Sequence, residues 1–106
     1  MLRTLGALVP LGRYRVAGRS MTPALIEGER VLVNKAAYWF ATPRPDDVVV
    51  LRDPRAPQRL LIKRIERAAG VDEWLVAGDN PDASTDSRAF GPVARDAIVG
   101  KVWLRY

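Results

Sequence analysis

Short runs of alternating or β-branched residues, each closed by glycine, proline or aspartate, constrain this 106-residue chain more than any other feature. Such runs are typical of β-strands, and no stretch shows the period of a long amphipathic helix. Strands are expected at residues 13–17, 30–34, 48–51, 60–67, 73–77 and 98–104. The pattern predicts an all-β or β-dominated fold, in which a coiled antiparallel sheet forms a partly closed barrel.

The length of the chain fits one domain, so residues 1–106 are expected to form a single core. Residues 1–12 form a short apolar segment that Gly6 and Pro10 interrupt. Because a membrane-spanning helix needs about 20 consecutive apolar residues, this segment is not expected to cross a bilayer. It also lacks a convincing signal-peptide cleavage site, so a cytoplasmic location is expected, with peripheral membrane contact left open.

The chain contains neither cysteine nor histidine. This composition excludes disulfides, thiolate or imidazole metal sites and a Ser-His-Asp triad, so no metal or other cofactor is expected. Any catalysis must therefore use carboxylates, hydroxyls or lysine. The net charge of +5 would suit nucleic acid, but Trp39, Trp74 and Trp103 lie far apart in apolar contexts. Because a nucleic-acid groove interleaves aromatic with basic residues, no nucleic-acid partner is expected.

Three consecutive aromatic residues, Tyr38, Trp39 and Phe40, lie in an apolar segment at residues 36–45 that is expected to form a loop. Soluble monomers rarely expose large apolar patches without a use. If the loop is exposed, it is a docking surface or an interface, and peripheral contact with a membrane is one candidate use.

Lys63 lies within an apolar strand, where alternation places it on the same face as Leu61 and Ile65. If this face is buried, loss of hydration disfavours the charged amine and lowers its pKa. Such a lysine accepts a proton near neutral pH. The alternative is that the side-chain stem covers the core while the amine stays in water.

Ser20 follows Gly18 and precedes Pro23, in a turn that can hold a hydroxyl exposed on a rigid backbone. With no histidine available, lysine is the amine that could activate it, and a Ser-Lys pair is an established form of nucleophile activation. Residues 78–88 are dense in short polar side chains and are expected to form a hydrogen-bonded loop. Taken singly, each feature also fits ordinary turn chemistry.

Three motifs, in this order, resemble the conserved boxes of the signal peptidase I family of Ser/Lys serine peptidases. They are Ser20-Met21-Thr22-Pro23, Lys63-Arg64, and Gly78-Asp79-Asn80 with Ser84-Thr85-Asp86-Ser87-Arg88. The resemblance extends from about residue 13 to the end of the chain. Among small members, the chain is most similar to the nickel-type superoxide dismutase maturation proteases, on residues 79–81, 84–88 and 100–106.

The resemblance implies that Ser20 attacks the scissile carbonyl, that Lys63 takes and returns the proton, and that Ser84 orients the lysine amine by a hydrogen bond. The implied activity is that of a serine endopeptidase, which removes a leader or propeptide from a precursor protein. The nickel superoxide dismutase proenzyme is the candidate substrate.

The same resemblance assigns supporting roles around these residues. The turn from Gly18 to Met21 would form part of the oxyanion hole, with the backbone N–H of the nucleophile as a donor. Gly18 stands where some relatives carry a serine as a second donor, so that side-chain donor is missing. Asp79, Asp86 and Arg88 would support the loop that carries the lysine-orienting serine.

Two other functions fit the sequence: a small signal-peptidase-like protease that acts at a membrane, and a catalytically idle β-module that binds peptides. A self-cleaving repressor shares the Ser-Lys chemistry, but only 19 residues precede Ser20. They are too few for a helix-turn-helix domain with a cleavable loop, so cleavage of another molecule is preferred.

Overall fold

The computed structural model describes residues 10–106, which contain seven strands in one antiparallel sheet. The strands are β1 (Leu11–Arg15), β2 (Arg30–Asn34), β3 (Val48–Asp53), β4 (Ala56–Gly70), β5 (Glu73–Ala77), β6 (Val93–Ala94) and β7 (Ile98–Arg105). The predicted β-dominated, antiparallel fold is confirmed. Residues 1–9 of the predicted apolar segment lie outside the described residues, whereas Leu11 and Gly12 belong to β1.

The strand order in the sheet is β1-β2-β7-β3-β4-β5-β6. The outer strands β1 and β6 are therefore edges, and the sheet is not closed into a complete barrel. The strands predicted at residues 48–51 and 60–67 correspond to β3 and β4, which form an antiparallel hairpin and pair Val49 with Lys63. Strand β7 lies between β2 and β3 and joins the first part of the chain to the hairpin.

Apolar side chains pack on both faces of the central strand β3, because alternation directs Val50 to one face and Val49 and Leu51 to the other. The buried residues of the first core are Val16, Met21, Leu25, Val31, Val33 and Val50. Those of the second core are Val49, Leu51, Ile65, Trp74, Val76 and Val93. Full burial of one such side chain contributes about 1.5 to 3 kcal/mol. The first core fixes the turn that follows β1, and the second fixes the middle of β4.

Strand β4 begins earlier than the sequence predicts, because the turn that connects it to β3 contains only Pro54 and Arg55. The carboxylate of Asp53, which is buried, accepts the backbone N–H of Arg55 at 2.9 Å and also binds its guanidinium. These bonds hold a tight turn that lets β4 begin at Ala56.

Residues 79–95, which lie between two of the predicted strands, contain short regular elements. They are a 3₁₀ helix at Pro81–Ala83, one helical turn α1 at Ser87–Phe90, and β6. The side chain of Asp86 caps α1 by accepting the backbone N–H of Arg88. The sequence predicts six strands, and β6 is the one it misses. No helix among residues 10–106 is long and apolar enough to cross a membrane.

The aromatic loop divides into an anchor and an exposed tip. Tyr38 is half-buried, and its hydroxyl donates a 2.8 Å hydrogen bond to Asp47. Burial, with the hydrogen bond and the negative charge of Asp47, raises the pKa of Tyr38. By contrast, the side chain of Trp39 is 62% exposed and that of Phe40 is 98% exposed. Of the three aromatic residues expected in this loop, only Trp39 and Phe40 are therefore exposed enough to contact another molecule. Tyr38 holds the loop to the body of the protein.

Candidate active site

Lys63 is buried in the middle of β4, with only 3% of its surface exposed. It lies on the face that carries Ile65 of the second core and Leu61, which packs against that core. This strand face is therefore the buried one, which is the condition for a lysine with a lowered pKa. The amine of Lys63 donates a 3.1 Å hydrogen bond to the hydroxyl of Ser84. Strand alternation places the amine in the protein interior, beside the loop that follows β5.

The environment of Lys63 lowers the pKa of its amine. Burial is the largest influence and lowers the pKa of the Lys63 amine below its ordinary value. The negative charges of Asp86 and Asp53 act in the opposite direction, while the positive charge of Arg88 lowers the pKa further. The net shift is downward, as a lysine that accepts protons requires.

Ser84 links the lysine to a buried carboxylate. Its hydroxyl donates to Asp86 at 3.0 Å, and the same carboxylate accepts the backbone N–H of Gly78 at 3.1 Å and Nε of Arg88 at 3.0 Å. Burial raises the pKa of Asp86, but these hydrogen bonds outweigh it and lower the pKa to about 2. Asp86 is therefore ionised and acts only as an acceptor, which fixes the Ser84 hydroxyl as its donor and leaves an oxygen lone pair toward Lys63.

Ser20 lies in the turn between β1 and β2, half-exposed, and the adjacent side chain of Met21 is fully buried in the first core. Met21 thus anchors the turn. Gly18 adopts a φ of 78°, in the left-handed region that favours glycine, and its N–H donates to Glu27 at 3.0 Å. These contacts hold the backbone on both sides of Ser20.

The Gly78-Asp79-Asn80 segment joins the serine turn to the lysine loop. Asn80 donates its backbone N–H to the carbonyl of Ser20 at 2.8 Å and its side-chain amide to the carbonyl of Arg19 at 3.2 Å. A Cβ at Gly78 would collide with the side chain of Ser84 and would lie 2.8 Å from the carbonyl oxygen of Ser20. Only glycine leaves room for both serines here, so this segment sets their separation.

Gly78 and Asn80 were absent from the site residues predicted from the sequence, although both lie in a motif that the resemblance singled out. Asp79 was predicted to support the Ser84 loop. The structure shows that its carboxylate binds the Arg64 guanidinium through two hydrogen bonds, at 2.8 and 2.7 Å. Since Arg64 follows Lys63 in β4, Asp79 ties the start of the loop to the strand that carries the lysine.

Ser20 and Lys63 line one cavity of about 210 Å³. Its apolar wall includes Val16, Val31 and Val50, from β3 and from the segments around the serine turn. The described residues contain no cluster of acidic side chains able to hold a metal ion. A hydroxyl and a buried amine at one cavity can together carry out nucleophilic attack with proton transfer.

The antiparallel β-sheet brings a serine in a turn and a buried lysine to one cavity. The protein is therefore a candidate serine hydrolase of a class that works without histidine. Comparison with known families gives a narrower result. The model of the family described as signal peptidase, peptidase S26, matches residues 2–71 and 66–106. The chain belongs to this family.

Individual relatives agree with the family match. The chain is 37% identical to the mitochondrial ATP-independent inner membrane protease subunit 1a of Arabidopsis thaliana, over 85% of this chain and 67% of the relative. It is 33% identical to the mitochondrial inner membrane protease subunit 2 of Schizosaccharomyces pombe, over 82% of this chain. It is 56% identical to signal peptidase IB of Staphylococcus aureus, over 88% of this chain and 76% of the relative.

The aligned region spans only part of the length of these relatives. It covers 59% of the Schizosaccharomyces pombe subunit. The alignment with signal peptidase IB covers 145 residues, more than the 106 of this chain, so that relative contains insertions.

Proposed function

We propose that this chain is a serine endopeptidase that removes a leader or propeptide from precursor proteins, with Ser20 as nucleophile and Lys63 as general base. One observation carries the proposal. The amine of Lys63 is buried, its pKa is lowered, and it lines the same cavity as Ser20. Membership of the signal peptidase family supports the same reaction.

In the proposed mechanism, neutral Lys63 uses an N–H to bind Ser84 and keeps its lone pair for the hydroxyl of Ser20. The lysine takes the hydroxyl proton as the serine oxygen bonds to the scissile carbonyl carbon. The resulting ammonium returns the proton to the leaving amine as the peptide C–N bond breaks. Water then hydrolyses the acyl ester, with Lys63 again accepting a proton.

The backbone N–H of Ser20 is the proposed donor to the developing oxyanion, a type of contact worth about 2.7 to 4 kcal/mol of barrier. Gly18 provides no side-chain donor, and its N–H already donates to Glu27. Asn80 holds the carbonyl of Ser20, which fixes the orientation of the turn that presents the N–H.

The pH dependence of cleavage follows from the lowered pKa of Lys63. Only the neutral amine accepts a proton, so kcat/KM should rise with pH and level off above a pKa that lies below the ordinary lysine value of 10.5. The measurement is kcat/KM from about pH 6 to about pH 10, with circular dichroism at each pH to establish that the protein is folded. A flat profile would contradict the role of a titrating amine.

Asp86 should contribute to stability in a pH-dependent way. Its pKa is about 2 in the folded protein and 3.8 ordinarily, so the carboxylate contributes about 2 kcal/mol above pH 3.8, which is lost as the pH falls through 2. Asp86→Asn should therefore be less stable than wild type by about 2 kcal/mol at neutral pH, and this difference should shrink between about pH 4 and pH 2. Urea unfolding across this range measures it. Exposed Asp96→Asn is the control, and an equal, pH-independent loss in both variants would refute the assignment.

The nickel superoxide dismutase proenzyme is the first substrate to test, because the motifs at residues 79–81 and 84–88 resemble those of its maturation proteases. The chain is incubated with this proenzyme and with secretory precursors, and any cut is mapped by mass spectrometry, with Ser20→Ala as control. A cut in the dismutase leader alone supports maturation, whereas cuts in secretory precursors alone favour a general signal-peptidase-like activity. Cleavage of neither, or equal cleavage by Ser20→Ala, would contradict the proposal and favour an idle peptide-binding module.

We also propose peripheral membrane contact through the exposed Trp39 and Phe40, which fits the inner membrane proteases among the relatives. Trp39→Ala with Phe40→Ala should weaken binding to phosphatidylglycerol and phosphatidylcholine vesicles by about tenfold or more in a sedimentation assay. Val71→Ala is the control, because it truncates a side chain that is 95% exposed in a different turn. This variant should bind like wild type. Equal binding by both variants would exclude this contact. The cytoplasmic location expected from the sequence remains a prediction.

A further inference from the structure

The cavity that Ser20 and Lys63 share also has a cationic part. Arg15 and Arg59 both line it, both are exposed, and no aspartate or glutamate lies among its lining residues. Since Arg15 comes from β1 and Arg59 from β4, two separate strands contribute a guanidinium to one opening.

Within residues 10–106, neither guanidinium forms an ion pair, in contrast to the arginines that bind buried carboxylates elsewhere. Arg59 is close enough to Asp53 to lower the pKa of that carboxyl. However, Arg55 already binds both carboxylate oxygens of Asp53. The donors of Arg59 therefore stay available to a ligand in the cavity.

The position of Arg15 is electrostatically unfavourable. In the register of β1 and β2 it lies directly opposite Arg30, and like charges in such a pair repel. Arg30 lies over the ring of Tyr106 at 5.1 Å, whereas Arg15 has no carboxylate partner to offset the repulsion among the described residues. A bound anion in the cavity would supply that partner.

On the basis of the proposed peptidase function, we propose that Arg15 and Arg59 select peptide substrates that carry an aspartate or glutamate within a few residues of the scissile bond. The guanidinium fork matches a carboxylate, to which it donates two parallel hydrogen bonds. The valine wall of the same cavity accommodates an adjacent apolar side chain. The selected segment is thus apolar next to acidic, and these two arginines are specificity-determining residues.

The test uses extended peptides of alanine, valine and serine in which one glutamate is moved through successive positions, each paired with a glutamine twin. Wild type should cleave the best glutamate peptide with a kcat/KM about three- to tenfold above its twin, a preference that salt should weaken. In Arg15→Gln with Arg59→Gln this ratio should fall to about one. Arg67→Gln is the matched control, because Arg67 is exposed on the same strand β4 but lies outside the cavity, and it should keep the ratio.

A binding measurement separates this inference from the peptidase proposal. Fluorescence anisotropy with Ser20→Ala and the same labelled peptides should show the glutamate preference without any turnover, and the preference should again depend on Arg15 and Arg59. If the glutamate peptides bind preferentially but wild type does not cleave them, the selectivity is supported and the peptidase proposal is contradicted. Equal affinity for the twins, or a preference that survives removal of both arginines, would overturn the inference even if cleavage occurs.

Discussion

Ser20→Ala and Lys63→Met should each lower kcat/KM for peptide cleavage by at least about a thousandfold. Removal of the hydroxyl eliminates the nucleophile, and methionine removes the amine while it keeps an unbranched apolar side chain in a buried position. Since neither change creates a large cavity, thermal unfolding should change little. Progress curves on a cleaved peptide and a thermal melt of each variant provide the two measurements.

The double variant should be little worse than either single variant, because residues that act as one unit are strongly non-additive. Lys35→Met is the matched control, since it removes an exposed lysine from the turn directly after β2 and should keep wild-type activity. If Ser20→Ala or Lys63→Met kept a substantial part of the wild-type rate, these two residues would not form the catalytic pair.

Gly78→Ala should lower kcat by about a hundredfold, although residue 78 has no catalytic group. The added methyl group would meet the side chain of Ser84 and the carbonyl of Ser20, so it must push the two serine segments apart. A displacement of about 1 Å in a catalytic arrangement can cost that much. The same overpacking should lower the free energy of unfolding by about 1 to 3 kcal/mol. Steady-state kinetics and urea unfolding measure the two effects.

Ala83→Ser is the control for the glycine variant, because it also adds one atom in the same loop but at an exposed position. It should leave kcat and stability close to wild type. If Gly78→Ala were as active as this control, the close approach of the serine turn and the Ser84 loop would be irrelevant to catalysis.

Short apolar runs bounded by turn residues made much of the fold predictable from the sequence. Strands at residues 30–34 and 73–77 have the predicted bounds, because each contains a short continuous apolar run with turn residues nearby. Both ends of β4 were missed, because residues 56–59 and 68–70 contain no run of alternating or β-branched apolar residues. Strand β6 was missed because two residues are too short to form a pattern.

The candidate site was predictable where it depends on strand geometry and less so where it depends on tertiary contact. Alternation alone places Lys63 on the face of Leu61 and Ile65, but it left open whether that face is buried. The roles of Gly78 and Asn80 depend on contacts with a turn about 60 residues earlier in the chain, which no local pattern reports. For the same reason the sequence did not show that Arg15 and Arg59 meet at one cavity.

A direct measurement of the Lys63 pKa tests the role of this amine as general base, and it is simple because Lys35 and Lys101 are the only other lysines in the chain. With carbon-13 at the lysine ε position, NMR titration of the folded protein should resolve each amine, and the signal missing from Lys63→Met identifies Lys63. This signal should titrate below the ordinary value of 10.5, at the pKa of the rising limb of kcat/KM. Titration of Lys63 at or above 10.5 would show a charged amine at neutral pH and contradict its role as general base.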